Sequence, residues 1–420
     1  MSLVVRDVTF AGETVSLRAT DGVIAELGAT VTVEPDDDII DAARLTLTPG
    51  LVNGHTHAAM TLLRGYGDDL PLMEWLRTKI WPAEARLTAE DVYWGTRLAA
   101  LEMIRSGTVM FWDMYWHSFE AAQAVADAGL RASISMTVIE AADAPEWNRI
   151  EGVADGLARL SEYGPRVTPS ISAHAIYTVS RASLERIAEL GATHDVPLQI
   201  HLSETRGEVE DCLRDHGTSP TAYLDEVGFL SDRTVLSHAV WLDDAELDLV
   251  ASRQTTIVTN PASNMKLATG AAFPYAGARA RGIPIGIGTD SAASNNSLDV
   301  LQEIKLLALL QKHASADPAT LPAAEAWAIA TGMASPRLGG HAIAVGAPAD
   351  FLLVDLATAE NRPAGEAAGL VYSATGAVVD TVVVDGRVLM RGRHVPGAEE
   401  VIARATECAA RLRAEPDHTP

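Results

Sequence analysis

The stretch Pro49-Gly50-Leu51-Val52-Asn53-Gly54-His55-Thr56-His57 follows an apolar run from Ile39 to Leu47 and precedes a helix-like segment that starts at Ala58. A buried strand therefore ends here, and two histidines sit where its loop begins. In extended backbone, residues two apart project to the same side. His55 and His57 can thus reach one ion from one face, and neutral imidazole is a common ligand for zinc and its neighbours. Two polar residues in a turn is the plainer alternative, and the rest of the chain has to separate the two.

Outward from this stretch, residues 49 to 343 alternate short apolar strands with helical stretches. Strands are expected to end at Asn53, Asp113, Val138, His174, His201, His238, Asn260 and Asp290. Between them lie helical patterns such as Ala89 to Ser106, Ser180 to His194, Asp243 to Ser252 and Leu298 to His313. Strand–helix units in series give a parallel (β/α)8 TIM barrel, whose active site lies at the C-terminal strand ends. Most of those ends carry a polar residue of a type that binds ligands.

Residues 1–48 read as strands and turns at Leu3-Val4-Val5, Thr14 to Leu17, Val23-Ile24-Ala25 and Val31-Thr32-Val33, with a hairpin signal at Asp21-Gly22. Residues 344–420 echo them, with strands at Ala349 to Asp355 and Val378 to Val384 and a turn at Asp385-Gly386. One small β-sandwich-like domain built from both termini is expected, with the last dozen residues frayed. Two unrelated β extensions are the alternative.

The chain has 420 residues, 48% of them hydrophobic, enough for one barrel and a smaller domain. Its net charge of −24 argues against nucleic acid and anionic membrane partners. Only Lys79, Lys266, Lys305 and Lys312 are lysines; the other 28 of the 32 basic residues are arginines. A dense carboxylate surface suits a salt-rich, halophilic cytoplasm, where it is screened; an ordinary acidic enzyme would look similar. Two distant cysteines, Cys212 and Cys408, offer no disulfide framework. The N-terminal residues lack the pattern of a leader, and no apolar run is long enough to cross a membrane. A cytoplasmic location and a homo-oligomer are expected.

Pro197 to His201, Thr234 to His238 and Pro284 to Asp290 are strands ending in His, His and Asp. Singly, each reads as a satisfied polar strand end. With His55 and His57 they form a set in order at one barrel mouth. Three His and one Asp make a nitrogen–oxygen shell that suits a catalytic divalent ion and leaves a position for water.

This set resembles the amidohydrolase superfamily, and within it the methylthioadenosine/S-adenosylhomocysteine deaminases, with triazine hydrolases beside them. The densest match runs from Pro49 to Glu84, through HTHAAMTLLRGYGDDLPLMEWL and IWPAE. Others are SAHAIYT at 172–178, HLSET at 201–205, SHAVWL at 237–242, NPASNMKLATG at 260–270 and GTDSAASNN at 288–296. The resemblance implies that His55, His57, His201 and Asp290 ligate the metal. It makes Glu204 the proton shuttle, His238 a partner of the activated water, and Asp290 a second proton acceptor. Glu84 would bind ribose hydroxyls, His174 a purine ring nitrogen, and Arg149 the amino-acid tail of larger substrates. Trp75 and Trp81 would pack on the base or thioether, or belong to the core. Binuclear members bridge two ions with a modified lysine, and no lysine lies between Lys79 and Lys266.

One divalent ion per chain is therefore expected, zinc (Zn2+) first, with Fe2+, Mn2+ or Ni2+ fitting the same ligands. The activity implied is hydrolytic deamination of a 5′-modified adenosine, the partner being a small-molecule nucleoside. Alternatives are guanine, cytosine or triazine chemistry on the same site, or a catalytically dead scaffold. Met136, aligned where a second arginine stands in members that accept S-adenosylhomocysteine, suggests an apolar contact for a methylthio or methyl group.

Overall fold

The computed structural model describes residues 2–140, 149–363 and 365–413. Strands β1 (Ser2–Phe10), β2 (Glu13–Thr20), β3 (Val23–Gly28), β4 (Asp38–Asp41) and β5 (Thr46–Pro49) come first. Eight more follow: β6 (Leu51–Thr56), β7 (Thr108–Asp113), β8 (Arg131–Val138), β9 (Val167–Ala173), β10 (Leu198–Leu202), β11 (Thr234–His238), β12 (Thr256–Thr259) and β13 (Ile285–Ile287). The chain returns through β14 (Phe351–Val354), β15 (Val379–Val384) and β16 (Arg387–Met390).

Strands β6 to β13 pair in sequence order, all parallel. A bridge from Thr56 to Asp290, with the Asp290 N–H donating to the His55 carbonyl at 3.0 Å, joins the two edges. The fold is a (β/α)8 barrel, and the expected strand order holds along its whole length. Intervening helices start on side-chain caps at Thr88, Ser180, Thr205 and Asp243, each satisfying backbone N–H groups that the first turn leaves open.

The two ends of the chain build one mixed sheet, in the order β16-β15-β14-β5-β1-β2-β3 with β4 on β1. Val31-Thr32-Val33, expected as a strand, is irregular; Val33 is 48% exposed. Its β-branched residues have no apolar face to cover, so propensity alone does not recruit them. In β14, Phe351 and Leu353 enter the core of the terminal sheet, whereas Leu352 and Val354 enter the barrel's core. The two-residue period of a strand thus glues sheet to barrel. Gly50 lies at the crossing from β5 to β6, and a Cβ there would fall 2.2 Å from a Val109 methyl.

The helix Ala398–Arg413 packs on the helix Ala89–Ser106, with Leu412 buried and Arg411 paired to Asp91. Residues 409–413 therefore continue a helix instead of fraying, and 414–420 lie outside the described residues. No helix among the described residues is long and apolar enough to cross a membrane.

Candidate metal centre

His55, on β6, and His57, just past its end, meet His201 from β10 and Asp290 from the loop after β13. The His201 Nε2 atom is 3.1 Å from His55 Nε2 and 3.2 Å from His57 Nε2. Asp290 Oδ1 is 3.6 and 3.2 Å from the same two atoms. Four donors around one zinc ion at 2.0–2.1 Å would be about 3.3 Å apart, so the spacing fits a single ion. Hydrogen bonds set the tautomers. The Nδ1 atoms of His57 and His201 lie 2.6 Å from the Met114 carbonyl and 2.7 Å from that of His174, which turns their Nε2 lone pairs inward. Burial pushes His55 and His201 well below the usual imidazole range, holding them in the neutral form that ligates.

Asp290 has its oxygens divided between two tasks. Oδ2 accepts the Ser263 hydroxyl at 2.6 Å and the Ser294 hydroxyl at 3.0 Å, leaving Oδ1 beside the histidines. Gly288 keeps this closure tight, since a Cβ would sit 2.8 Å from His55 Cβ and 2.4 Å from Asn260 Oδ1.

Glu204 and His238 complete the floor. His238 Nδ1 donates to Asn264 Oδ1 at 2.8 Å and lies 3.7 Å from Glu204 Oε1. Burial, reinforced by the charge of Asp290, pushes the Glu204 carboxyl above its ordinary range, while His238 opposes the shift. A buried acid near a protonatable water site can both give and take a proton.

Above the floor is a cavity of about 550 Å³, large enough for a nucleoside. The segment Leu72 to Glu84 forms one wall as two short helices joined by a π turn over Leu76–Ile80. In an unbroken α-helix, positions four apart drift by about 40° at each step. The wider π turn takes that rotation back, and Leu72, Leu76, Ile80 and Glu84 all line the cavity. Trp75 is buried, its indole bonded to the Tyr66 carbonyl, and Trp81 is 38% exposed at the rim.

Glu84 Oε1 accepts the Tyr115 hydroxyl at 2.9 Å, which leaves its second oxygen for a ligand hydroxyl. His174 lines the cavity, and burial lowers its ring to about 3, so it is neutral. Arg149 is exposed and is not among the cavity-lining residues; the preceding 141–148 lie outside the described residues. Met136 corrects the reading of β8. Its methyl lies 2.4 Å from where a Cβ on Gly156 would stand, so it packs outward under the helix Val153–Leu160. The β8 residue lining the cavity is its neighbour Thr137.

Several supports escaped the sequence reading. Asp113 accepts the Thr56 hydroxyl and the Ala58 N–H, pinning the loop of the two histidines. Glu303 accepts the Ala262 N–H at 3.1 Å and the Asn295 amide at 2.7 Å, tying the loop after β12 to the loop after β13. In the sequence Asp113 reads only as a polar strand end, and Glu303 carries no signal.

These features describe a (β/α)8 barrel whose mouth gathers a nitrogen–oxygen donor set able to hold a metal ion, with Glu204 and His238 beneath a nucleoside-sized cavity. Residues 46–389 match the amidohydrolase family, and the chain belongs to it. It is 48% identical to a 5′-deoxyadenosine deaminase of Methanoregula boonei, over 89% of this chain and 86% of that one. It is 44% identical to a 5-methylthioadenosine/S-adenosylhomocysteine deaminase of Desulforudis audaxviator, over 89% and 88%. A crystal structure of an adenosine deaminase from Xanthomonas campestris with bound zinc superposes with a TM-score of 0.92, at 32% identity over 98% of each chain.

Glu303 generates a stability prediction. Burial raises its carboxyl from 4.5 to about 8. Between those values the native state holds a proton that the unfolded chain has lost, so stability falls as pH rises through this window and levels off above it. The slope approaches roughly 1.4 kcal/mol per pH unit. Urea melts at pH 5.5, 7 and 8.5 should show Glu303→Gln flattening this decline; identical slopes in both proteins would refute the assignment.

Proposed function

We propose that residues 49–343 form the catalytic barrel of a one-metal aminohydrolase, with 1–48 and 344–420 as its flanking unit. It removes the 6-amino group of an adenosine whose 5′ position carries a small apolar group. His55, His57, His201 and Asp290 hold the ion, and zinc is the metal that the donor set favours first. The ion supplies Lewis-acid activation of water. The observation that carries the reading is Glu204, buried beside His238 on the floor of the cavity. As the water oxygen bonds to C6, Glu204 takes the released proton and passes it to ring nitrogen N1. A second proton transferred through the same carboxyl reaches the amine, the C6–N bond breaks, and ammonia leaves with the inosine analogue as product. His238, oriented by Asn264, hydrogen-bonds the attacking oxygen, and Asp290 is a second proton acceptor. Glu84 serves the ribose hydroxyls and His174 a ring nitrogen, with Trp75 and Trp81 as the apolar wall.

The test is an ammonia-release screen over adenosine analogues, with metal analysis of the same sample. One equivalent of metal per active chain is expected. Glu204→Gln should keep that metal while kcat falls by roughly 10² or more. Two equivalents would overturn the one-metal reading, and full turnover by the mutant would remove Glu204 from the mechanism. Metal-loaded protein that releases no ammonia from any analogue would refute deamination.

The cavity lining supports a choice of substrate. It contains Glu84, Glu140, Glu204 and Asp290, and no Lys or Arg among the described residues. An amino-acid tail therefore finds no cation for its carboxylate there. A charge-assisted hydrogen bond is worth about 1.5–3 kcal/mol, or ten- to a hundredfold in specificity. In a competition assay, 5′-deoxyadenosine and methylthioadenosine should be consumed before S-adenosylhomocysteine; the reverse order would sink the preference.

The charge of −24 supports a cytoplasmic enzyme adapted to high salt. Raising KCl from about 0.1 to 2 M shortens the screening length to about 3 Å or less and should raise Tm. An unchanged Tm would count against the adaptation.

A further inference from the structure

Glu204 stands on an unusual turn. Ser203, which precedes it, has φ +48, the left-handed region that a residue with a side chain enters at a cost. Thr205 caps the next helix, Arg206–His216, its hydroxyl accepting the Glu208 N–H at 3.2 Å. A glutamate three residues after such a cap ordinarily reaches back to the cap residue's own N–H. Glu208 reaches further. Its Oε2 accepts the Glu204 N–H and its Oε1 the Ser203 N–H, each at 2.9 Å, and the residue is 8% exposed. The other side of the same turn is held as well. The Ser203 carbonyl accepts from Val240 N–H at 3.1 Å and Trp241 N–H at 2.9 Å, and the Leu202 carbonyl from Ala239 N–H at 2.9 Å. The turn bearing Glu204 is thus clamped between Glu208 and the loop that follows His238.

We propose that Glu208 is a positioning residue. Its carboxylate grips two consecutive backbone N–H groups and so holds Ser203 left-handed, which aims the Glu204 side chain at the reacting atoms. This rests on the role given to Glu204 above. Glu208 has no place among the ligand donors, and its contribution is orientation. A glutamine offers one acceptor oxygen where two N–H groups need two, so Glu208→Gln releases half of the grip. Replacing Ser203 with glycine removes the conformational cost that the grip opposes.

The test is a double-mutant cycle on the metal-loaded enzyme with 5′-deoxyadenosine, read together with hydrogen exchange of the amides at 203 and 204. Glu208→Gln should lower kcat ten- to a hundredfold, with KM within about twofold and metal content as in the wild type. Exchange at both amides should accelerate. Adding Ser203→Gly should recover at least threefold in kcat in the Glu208→Gln background and change the wild-type background less. Unchanged kcat in Glu208→Gln, a loss shared equally between kcat and metal content, or the same effect of Ser203→Gly in both backgrounds would each overturn the proposal. If Glu208→Gln is too unstable to assay, Glu208→Asp, which is too short to reach both N–H groups, takes its place under the same criteria. Wild-type enzyme that releases no ammonia would sink the deaminase reading, while the exchange data would still decide whether Glu208 holds the turn.

Discussion

Three imidazole Nε2 atoms and a carboxylate oxygen converge across 3.1 to 3.6 Å inside a buried pocket. Without a positive charge between them this arrangement is repulsive and desolvated, and few side chains could relieve it. A divalent ion makes it favourable. The barrel can impose the convergence because β6, β10 and β13 deliver their ends to one rim from different sides. The strands also fix the second nitrogen of two of the rings, since His57 and His201 each spend Nδ1 on a backbone carbonyl of a neighbouring strand end. Fold and ligand geometry are therefore one constraint: the strand order that closes the barrel also sets the tautomers.

Turning strand ends into a site costs backbone strain. Ser203, His238, Ala239 and Asp290 all have φ between +48 and +70. Non-glycine residues hold such values only when their surroundings over-determine them. The over-determination is visible as cross-braces between successive loops. Asn264 holds His238, Ser263 and Ser294 hold Asp290, Glu303 joins the loops that carry those serines, and Glu208 holds the turn at Ser203. Most of these braces are buried and polar, and both carboxyl oxygens of Glu208 and of Glu303 are matched to a donor. The rigidity of the floor comes from this network, while the apolar wall from Leu72 to Glu84 needs only packing.

The barrel was legible in the chain because each strand is an apolar run and seven of the eight expected ends carried His, Asp or Asn, a regularity that packing does not require. The convergence of His55, His57, His201 and Asp290 was legible for the same reason. Side-chain direction on β8 was not. Met136 and Thr137 differ by one residue, and a register error of one exchanges the cavity face for the helix face. The resemblance carried no marker of which residue faced inward. Val31 to Val33 misled because β-branched residues favour strands only when there is a face to bury. Glu208 and Glu303 were invisible because each acts on backbone N–H groups in space, and a surface helix glutamate has the same sequence appearance. Arg149 follows 141–148, which lie outside the described residues, so its relation to the cavity rests on its own exposed position.

The scarcity of lysine bears on the electrostatics of the mouth. Two of the four lysines use the compact ammonium for three hydrogen bonds each. Lys312 Nζ bonds the carbonyls of Pro318, Thr320 and Leu321 at 3.0, 2.7 and 3.1 Å. Lys266 Nζ bonds Asp68, the Ala293 carbonyl and the Asn296 amide oxygen, joining the loops that follow β6, β12 and β13. Arg64 on the same rim is likewise engaged, by Glu102 and the Asn296 carbonyl. Lys266 and Arg64 are thus engaged in bracing loops, and the cavity lining holds four acids and no Lys or Arg among the described residues. Such a cavity attracts a divalent ion and repels a carboxylate tail by the same field. The proposed metal binding and the proposed preference for an uncharged 5′ group would therefore share one electrostatic origin.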